Sequence, residues 1–237
     1  MNLGKYSIDS IYNDDSYNCI KDIPENSIDL IVIDPPYLSD VNGGGCFGKT
    51  KRPYHMETKE LKNGINEDIL NEIVRVMKKV NIYIFCNKDQ LLFYLSYFVI
   101  NKNCLFDLLV WHKKNPIPTC NNKYLSDTEY ILYFREKGVK LYGNYKTKSK
   151  YFITSKNLND KKLYNHPTIK PLSIIETLIY NSSNENDVVA DFFIGSGTTA
   201  IACINLKRHF IGFEINSDYF NNAKKRIQRR IENEEKN

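Results

Sequence analysis

Ile28-Asp29-Leu30-Ile31-Val32-Ile33-Asp34-Pro35-Pro36-Tyr37 is an apolar, β-branched run that stops abruptly on an acid, two prolines and an aromatic ring. Near-continuous apolar character of this kind marks a strand buried on both faces, as in a parallel sheet. Proline cannot donate to a sheet ladder, so the pair ends the strand. An acid, a rigid carbonyl and a ring are then left at the carboxyl edge of a sheet, where open α/β folds bind ligands. Four residues alone also fit a proline-rich turn, and the rest of the chain has to decide.

A second stretch points the same way. Val188-Val189-Ala190 leads into Asp191-Phe192-Phe193-Ile194-Gly195-Ser196-Gly197-Thr198-Thr199, and a helix-compatible segment follows from Ala200 to Leu206. Gly195 and Gly197 permit a tight turn and close backbone approach to a ligand, and the amides of a helix start offer a partly positive edge. The next strand, from Arg208 to Phe213, ends at Glu214, nineteen residues beyond Gly195. Nucleotide-binding α/β units place the acceptor for a ribose hydroxyl at about that distance.

Short apolar runs at 29–33, 82–86, 106–111, 129–134, 188–193 and 208–213 alternate with helical patterns. That alternation predicts a doubly wound, mostly parallel sheet of the Rossmann-like α/β class. Asn66 is placed to cap a helix with Ile69, Leu70, Ile73, Val74 and Met77 on one face. Leu172, Ile174, Ile175, Leu178 and Ile179 stripe a second helix, and Phe220, Ala223, Ile227 and Ile231 a last one opening near Ser217. At 237 residues with 42% apolar content, one domain spanning 1–237 is the economical organisation. Residues 38–58, with Gly43-Gly44-Gly45 and Gly48, have the length and composition of a lid. The stretch 135–165, rich in lysine and tyrosine, has the composition of a phosphate-contacting insertion, and together with 115–126 it is expected to surround the catalytic edge.

The net charge is only +5, and the six cysteines and four histidines are dispersed, which fits reduced thiols and no metal. No apolar run approaches the roughly 20 residues of a membrane span, and no signal-peptide core follows Met1, so the expectation is a cytoplasmic protein.

With these pieces together, the chain resembles the amino-group DNA methyltransferases that use S-adenosylmethionine, in the β-type order where the catalytic tetrapeptide precedes the cofactor glycines. Further stretches match: Tyr12-Asn13-Asp14-Asp15 ahead of the catalytic strand, Trp111-His112-Lys113-Lys114-Asn115-Pro116-Ile117-Pro118 with Glu129-Tyr130 in mid-domain, and His166-Pro167-Thr168-Ile169-Lys170-Pro171 before the glycine turn. The resemblance covers about residues 12–228, with Phe192-Phe193 where the family often has Pro-Phe. No Pro-Cys pair is present, unlike the carbon-5 cytosine enzymes.

The resemblance implies a class I methyltransferase fold with permuted motif order, and it implies roles. Asp34, Pro35, Pro36 and Tyr37 are the catalytic residues. The Asp34 carboxylate and the Pro35 carbonyl each accept an N–H of the target amine, whose lone pair is otherwise delocalised, and Tyr37 stacks on an extruded base. Asp15, Asp34, Thr168, Lys170, Asp191, Phe193, Gly195, Gly197, Thr198 and Glu214 bind the cofactor, with Asp15 near its adenine, Asp191 at its ammonium and Glu214 at its ribose. The partner is double-stranded DNA, with a restriction endonuclease of the same system as a second, and the chain acts as a monomer or homodimer. Family cytosine-N4 enzymes tend to carry Ser-Pro-Pro-Tyr, so Asp34 points to adenine N6, with cytosine N4 the alternative. A non-catalytic DNA-binding protein would have no need of both motifs intact. A dinucleotide oxidoreductase would have no use for Asp-Pro-Pro-Tyr, and Ala200 leaves its glycine fingerprint incomplete.

Overall fold

A computed structural model describes residues 2–37, 65–116, 124–155 and 169–234. Along them run strands Asn2–Leu3 (β1), Tyr6–Ser7 (β2), Ser10–Tyr12 (β3), Leu30–Ile33 (β4), Asn81–Cys86 (β5), Leu105–Lys113 (β6), Thr128–Arg135 (β7), Tyr151–Thr154 (β8), Val188–Asp191 (β9) and His209–Phe213 (β10). The helices are Ser16–Cys19 (α1), Glu67–Val76 (α2), Leu91–Leu95 (α3, continued by a π turn over Ser96–Asn101), Leu172–Ser182 (α4), Thr198–Asn205 (α5) and Ser217–Glu234 (α6). No helix among the described residues is long and apolar enough to cross a membrane.

Eight strands form one sheet in the order β3-β10-β9-β4-β5-β7-β6-β8. Every neighbouring pair is parallel except those made by β7, which runs against β5 and β6. Strand period divides the apolar residues between two layers. Ile31 and Ile33 of β4 pack with α2 and the α3 segment, while Leu30 and Val32 pack with α4, α5 and Ile227 of α6. Both faces are covered, which is why these strands carry no polar alternation.

The crossover helices are fixed by local chemistry. The Asn66 side chain accepts from the Ile69 amide at 3.0 Å, Glu67 and Asp68 occupy the first turn of α2, and Arg75 the last, so cap and charges all oppose the helix dipole. Arg75 also donates to the carbonyls of Ile20 and Ile23, tying α2 to the segment that feeds β4. The Asp29 carboxylate accepts the Val188 amide at 2.9 Å and locks the start of β4 against β9.

The register Leu30↔Val189 and Ile31↔Ala190 follows, so Asp34 and Asp191, far apart in sequence, leave adjacent strand ends. The expected doubly wound sheet and this adjacency are both present.

Three elements depart from the sequence expectation. β3 and β8 are short edge strands outside the apolar runs read as strands. The segment after β5 is helical, opened by an Asn87/Gln90 capping box. The basic stretch also starts elsewhere than expected. Because β7 is reversed, Arg135 pairs with Asn81 at the opposite end of the sheet from Asp34. There the Tyr142 amide donates to Asn181, and the Asn181 side chain donates to the Thr147 carbonyl, at the far end of α4. Residues 136–150 therefore do not surround the catalytic edge. Only with β8 does the chain turn back toward it, Thr154 lying beside Lys113.

Candidate active site

At the carboxyl ends of β4 and β9 a cleft is lined by Val32, Ile33, Asp34, Phe85, Lys170, Ile175, Asp191, Phe193, Ile194, Gly195, Ser196, Thr198 and Thr199. On one wall stands the tetrapeptide. Pro35 is buried, and the Pro36 carbonyl accepts from Nε2 of Gln90 at 3.2 Å, so the residue that caps the α3 segment also holds the backbone of the tetrapeptide. Oδ2 of Asp34 takes an ion pair from Lys170, whereas Oδ1 is buried in the cleft wall and has no hydrogen-bond partner among the described residues.

Lys170 is only 9% exposed and also reaches Oε1 of Glu129 at 3.0 Å. The Tyr37 hydroxyl donates to the same oxygen at 2.8 Å, and Lys113 pairs with Oε2 at 2.6 Å. Burial alone would raise the Glu129 carboxyl, but Lys170 and Lys113 outweigh it and hold it at about 2. Burial pulls Lys170 down, and the two carboxylates override it and raise it. Asp34 is raised, by burial first, against the attraction of Lys170.

The other wall is the glycine turn. Gly195 and Gly197 have φ of 50° and 78°, the left-handed region that glycine enters without cost. At Gly197 a Cβ would stand 3.3 Å from that of Ala223, because α6 packs against the turn from behind. Buried Arg226 of α6 donates to the Ser196 carbonyl at 2.9 Å and to Oγ1 of Thr198 at 3.0 Å. Asp191 accepts from the Phe193 amide at 3.0 Å and from Thr199 at 2.6 Å, yet burial still pushes its carboxyl up to about 7. Glu214 accepts the Gly195 amide at 2.9 Å and the Asn216 amide at 2.8 Å, so the acid at the end of β10 shapes the turn directly. Burial raises its carboxyl too.

Of the residues expected from sequence, Asp34, Lys170, Asp191, Phe193, Gly195 and Thr198 come together on this cleft, with Pro35, Pro36, Tyr37, Gly197 and Glu214 directly behind or beside them. Asp15 lies apart from the lining. It caps α1, accepting from the Tyr17 amide at 3.0 Å. Thr168, the segment 38–58 expected to be a lid and the segment 156–165 fall outside the described residues. Glu129, Lys113 and Gln90 were not legible as site residues. The available signals for Glu129 are its place in the mid-domain match, Glu129-Tyr130, which assigned it no role, and its being the lone acid of β7.

The N6/N4 DNA methylase family model matches residues 28–225. The Type II methyltransferase M2.LlaDCHI of Lactococcus lactis subsp. cremoris is 30% identical over 91% of this chain and 87% of its own. The DNA adenine methyltransferase YhdJ of Escherichia coli (strain K12) is 28% identical over 92% and 82%. The crystal structure of the M1.HpyAVI–SAM complex superposes with a TM-score of 0.66 at 28% identity, covering 92% of this chain and 98% of that one. The fold alone extends to the cytosine-N4-specific PvuII DNA methyltransferase, with a TM-score of 0.69 at 17% identity over 91% and 84% of the two chains. By sequence match and fold, this chain belongs to the N6/N4 family of DNA methylases.

Proposed function

We propose that the chain methylates the N6 amino group of adenine in duplex DNA. The observation that carries this is Oδ1 of Asp34, a buried acceptor without a partner among the described residues, in the wall of a cleft shared with a glycine turn. A buried polar atom without a partner is costly, and a ligand N–H would satisfy it. S-adenosylmethionine is the methyl donor and supplies an electrophilic methyl on a sulfonium. The residues of the second wall suit it: Asp191 is an acid for its ammonium, Glu214 an acceptor for its ribose hydroxyls, and the Gly195–Thr198 turn offers close backbone approach.

The chain's own work is positioning. Asp34 and the Pro35 carbonyl accept the two amine protons, so the nitrogen lone pair is drawn out of conjugation with the ring. Tyr37 offers a face for the extruded base. Asp34 in the tetrapeptide, and the 28% identity to an enzyme named for adenine, favour adenine over cytosine. The PvuII likeness is one of fold and carries no base preference. Incubation with labelled cofactor and DNA, then nucleoside analysis, tests the reading: label in N6-methyladenine is expected, and label in N4-methylcytosine replaces the base. No label in any DNA leaves a binding-only protein. A restriction endonuclease of the same system is the natural partner, given the Type II relative.

Asp191 gives the cofactor step a pH dependence. Burial pushes its carboxyl up to about 7, which favours the protonated form in the free protein at lower pH. Only the anion attracts the cofactor's ammonium. Affinity should therefore fall by up to about tenfold per pH unit from 7 towards 5. The same raised carboxyl makes the isolated protein lose stability as pH rises from about 4 to about 7. Calorimetry at several pH values checks the first, and Asp191→Asn should flatten it at a uniformly weaker affinity.

DNA docking should follow the catalytic edge rather than the basic composition. Lys114 is exposed beside Lys113, its amide donating to the Thr154 carbonyl at that edge. Lys146, Lys148 and Lys150 lie in or beside the 136–150 segment, and Lys150 already pairs with Asp107. Lys114→Ala should reduce the salt slope of DNA binding by about one, whereas neutralising the three lysines together should change it little. Filter binding across a salt series distinguishes the two, and the reverse result would return docking to 135–150.

A further inference from the structure

Glu129 sits in β7 opposite Trp111, 7% exposed, in a strand whose other buried residues are apolar. A charge there does nothing for packing, since a buried ion pair seldom stabilises more than well-packed apolar side chains. Its contacts instead converge on the tetrapeptide. Oε1 accepts from the Tyr37 hydroxyl and from Lys170, and Oε2 from Lys113. Two carboxylates and two ammonium groups thus alternate in the order Asp34, Lys170, Glu129, Lys113. Lys170, shared between the two acids, engages a single oxygen of Asp34.

Resting on the amino-group methylation reading, we infer that Glu129 is a positioning residue: by holding Lys170 and the Tyr37 hydroxyl, it keeps Oδ1 of Asp34 open for the target amine. Without the carboxylate, the two donors nearest Asp34 lose their anchor. Lys170 carries three N–H donors and turns them on both oxygens of Asp34, and the Tyr37 hydroxyl seeks the same acceptor. Both changes consume the oxygen the base needs, and the second also moves the ring on which it stacks.

The groups facing Lys170 are Asp34 from the end of β4, Glu129 from β7, and the rings of Tyr37 at 5.6 Å and Phe85 at 5.2 Å. Lys113 of β6 stands on the far side of Glu129, and Asp191 acts on Asp34 from the end of β9. Burial disfavours the Lys170 charge and two carboxylates restore it. With one carboxylate removed, burial is less opposed and Lys170 deprotonates at lower pH.

The test compares wild type, Glu129→Gln and the double variant Glu129→Gln/Lys113→Met, which also removes the ammonium that the single change would strand. Turnover is counted as methyl groups transferred to any DNA base. In both variants kcat should fall by about a hundredfold, the scale of a 1 Å misplacement, with KM for S-adenosylmethionine within about threefold. An alkaline limb should appear at a pH where wild type stays flat, because Lys170 gives up its proton sooner. If the double variant regains wild-type kcat and a flat profile, Glu129 only balanced Lys113 and the proposal is overturned. Titration of Lys170 by NMR of [13Cε]lysine-labelled protein needs no turnover. A lower midpoint in the variants is expected, and an unchanged midpoint overturns the proposal even if wild type methylates no DNA, the result that would instead sink the functional reading.

Discussion

Asp34→Ala should abolish turnover while leaving cofactor and DNA binding within a few fold of wild type. Removing one preorganised partner of a developing charge costs on the order of 10²–10³ in rate, and Asp34 supplies the one anionic acceptor among the tetrapeptide residues. The loss should therefore reach roughly a thousandfold. Folding should survive it, because Lys170 keeps Glu129 as a counter-ion at 3.0 Å and is not stranded. Single-turnover assays with labelled cofactor, run beside calorimetry, separate the two effects. Residual turnover above a tenth of wild type would mean that the Pro35 carbonyl alone activates the amine.

Glu214→Ala should be the most damaging change for the cofactor. The carboxylate is expected to accept from the ribose, and it already accepts the Gly195 and Asn216 amides. Hydrogen bonds to a charged acceptor contribute about 1.5–3 kcal/mol each. Losing the ribose contacts and loosening the turn together should cost about 3 kcal/mol, a weakening of S-adenosylmethionine binding of more than a hundredfold. Glu214→Gln keeps an acceptor oxygen in place and should fall between. Unchanged affinity in the alanine variant, with thermal unfolding intact, would make the acid a purely structural brace.

Strands β4, β5, β9 and β10 were legible because a strand buried on both faces announces itself as an apolar β-branched run, and β6 and β7 by their apolar and aromatic runs; the reversed direction of β7 was not, because pairing direction leaves no mark on such a run. β3 and β8 are half-exposed edge strands of three and four residues, held by partners rather than by their own pattern. The helical segment after β5 was hidden by its aromatics, Phe93, Tyr94, Tyr97 and Phe98, although Asn87 and Gln90 carried a capping signal. Within the site, Asp34, Asp191 and Glu214 could be read because each terminates a strand next to a turn. Glu129 could not, because its role arises only when β7 brings it against a tetrapeptide some ninety residues earlier. Where the lysines of 135–150 sit could not be read, because composition reports charge but not the edge of the sheet at which the chain leaves it.

The pairing of β4 with β9 has a consequence for biosynthesis. β4 finds β5, and through it β7 and β6, within the first 135 or so residues, but its other neighbour begins only at Val188. At ribosomal rates of 5–20 residues per second, more than 150 residues of delay amounts to roughly ten to thirty seconds. Throughout that interval Leu30–Ile33, the most apolar strand of the sheet, presents an open edge, the arrangement most prone to pairing with another chain. Nascent chains released before Val188 should accordingly be sticky and bound by chaperones, and catalytic competence should arise late and all at once, when the last quarter of the polypeptide closes the sheet.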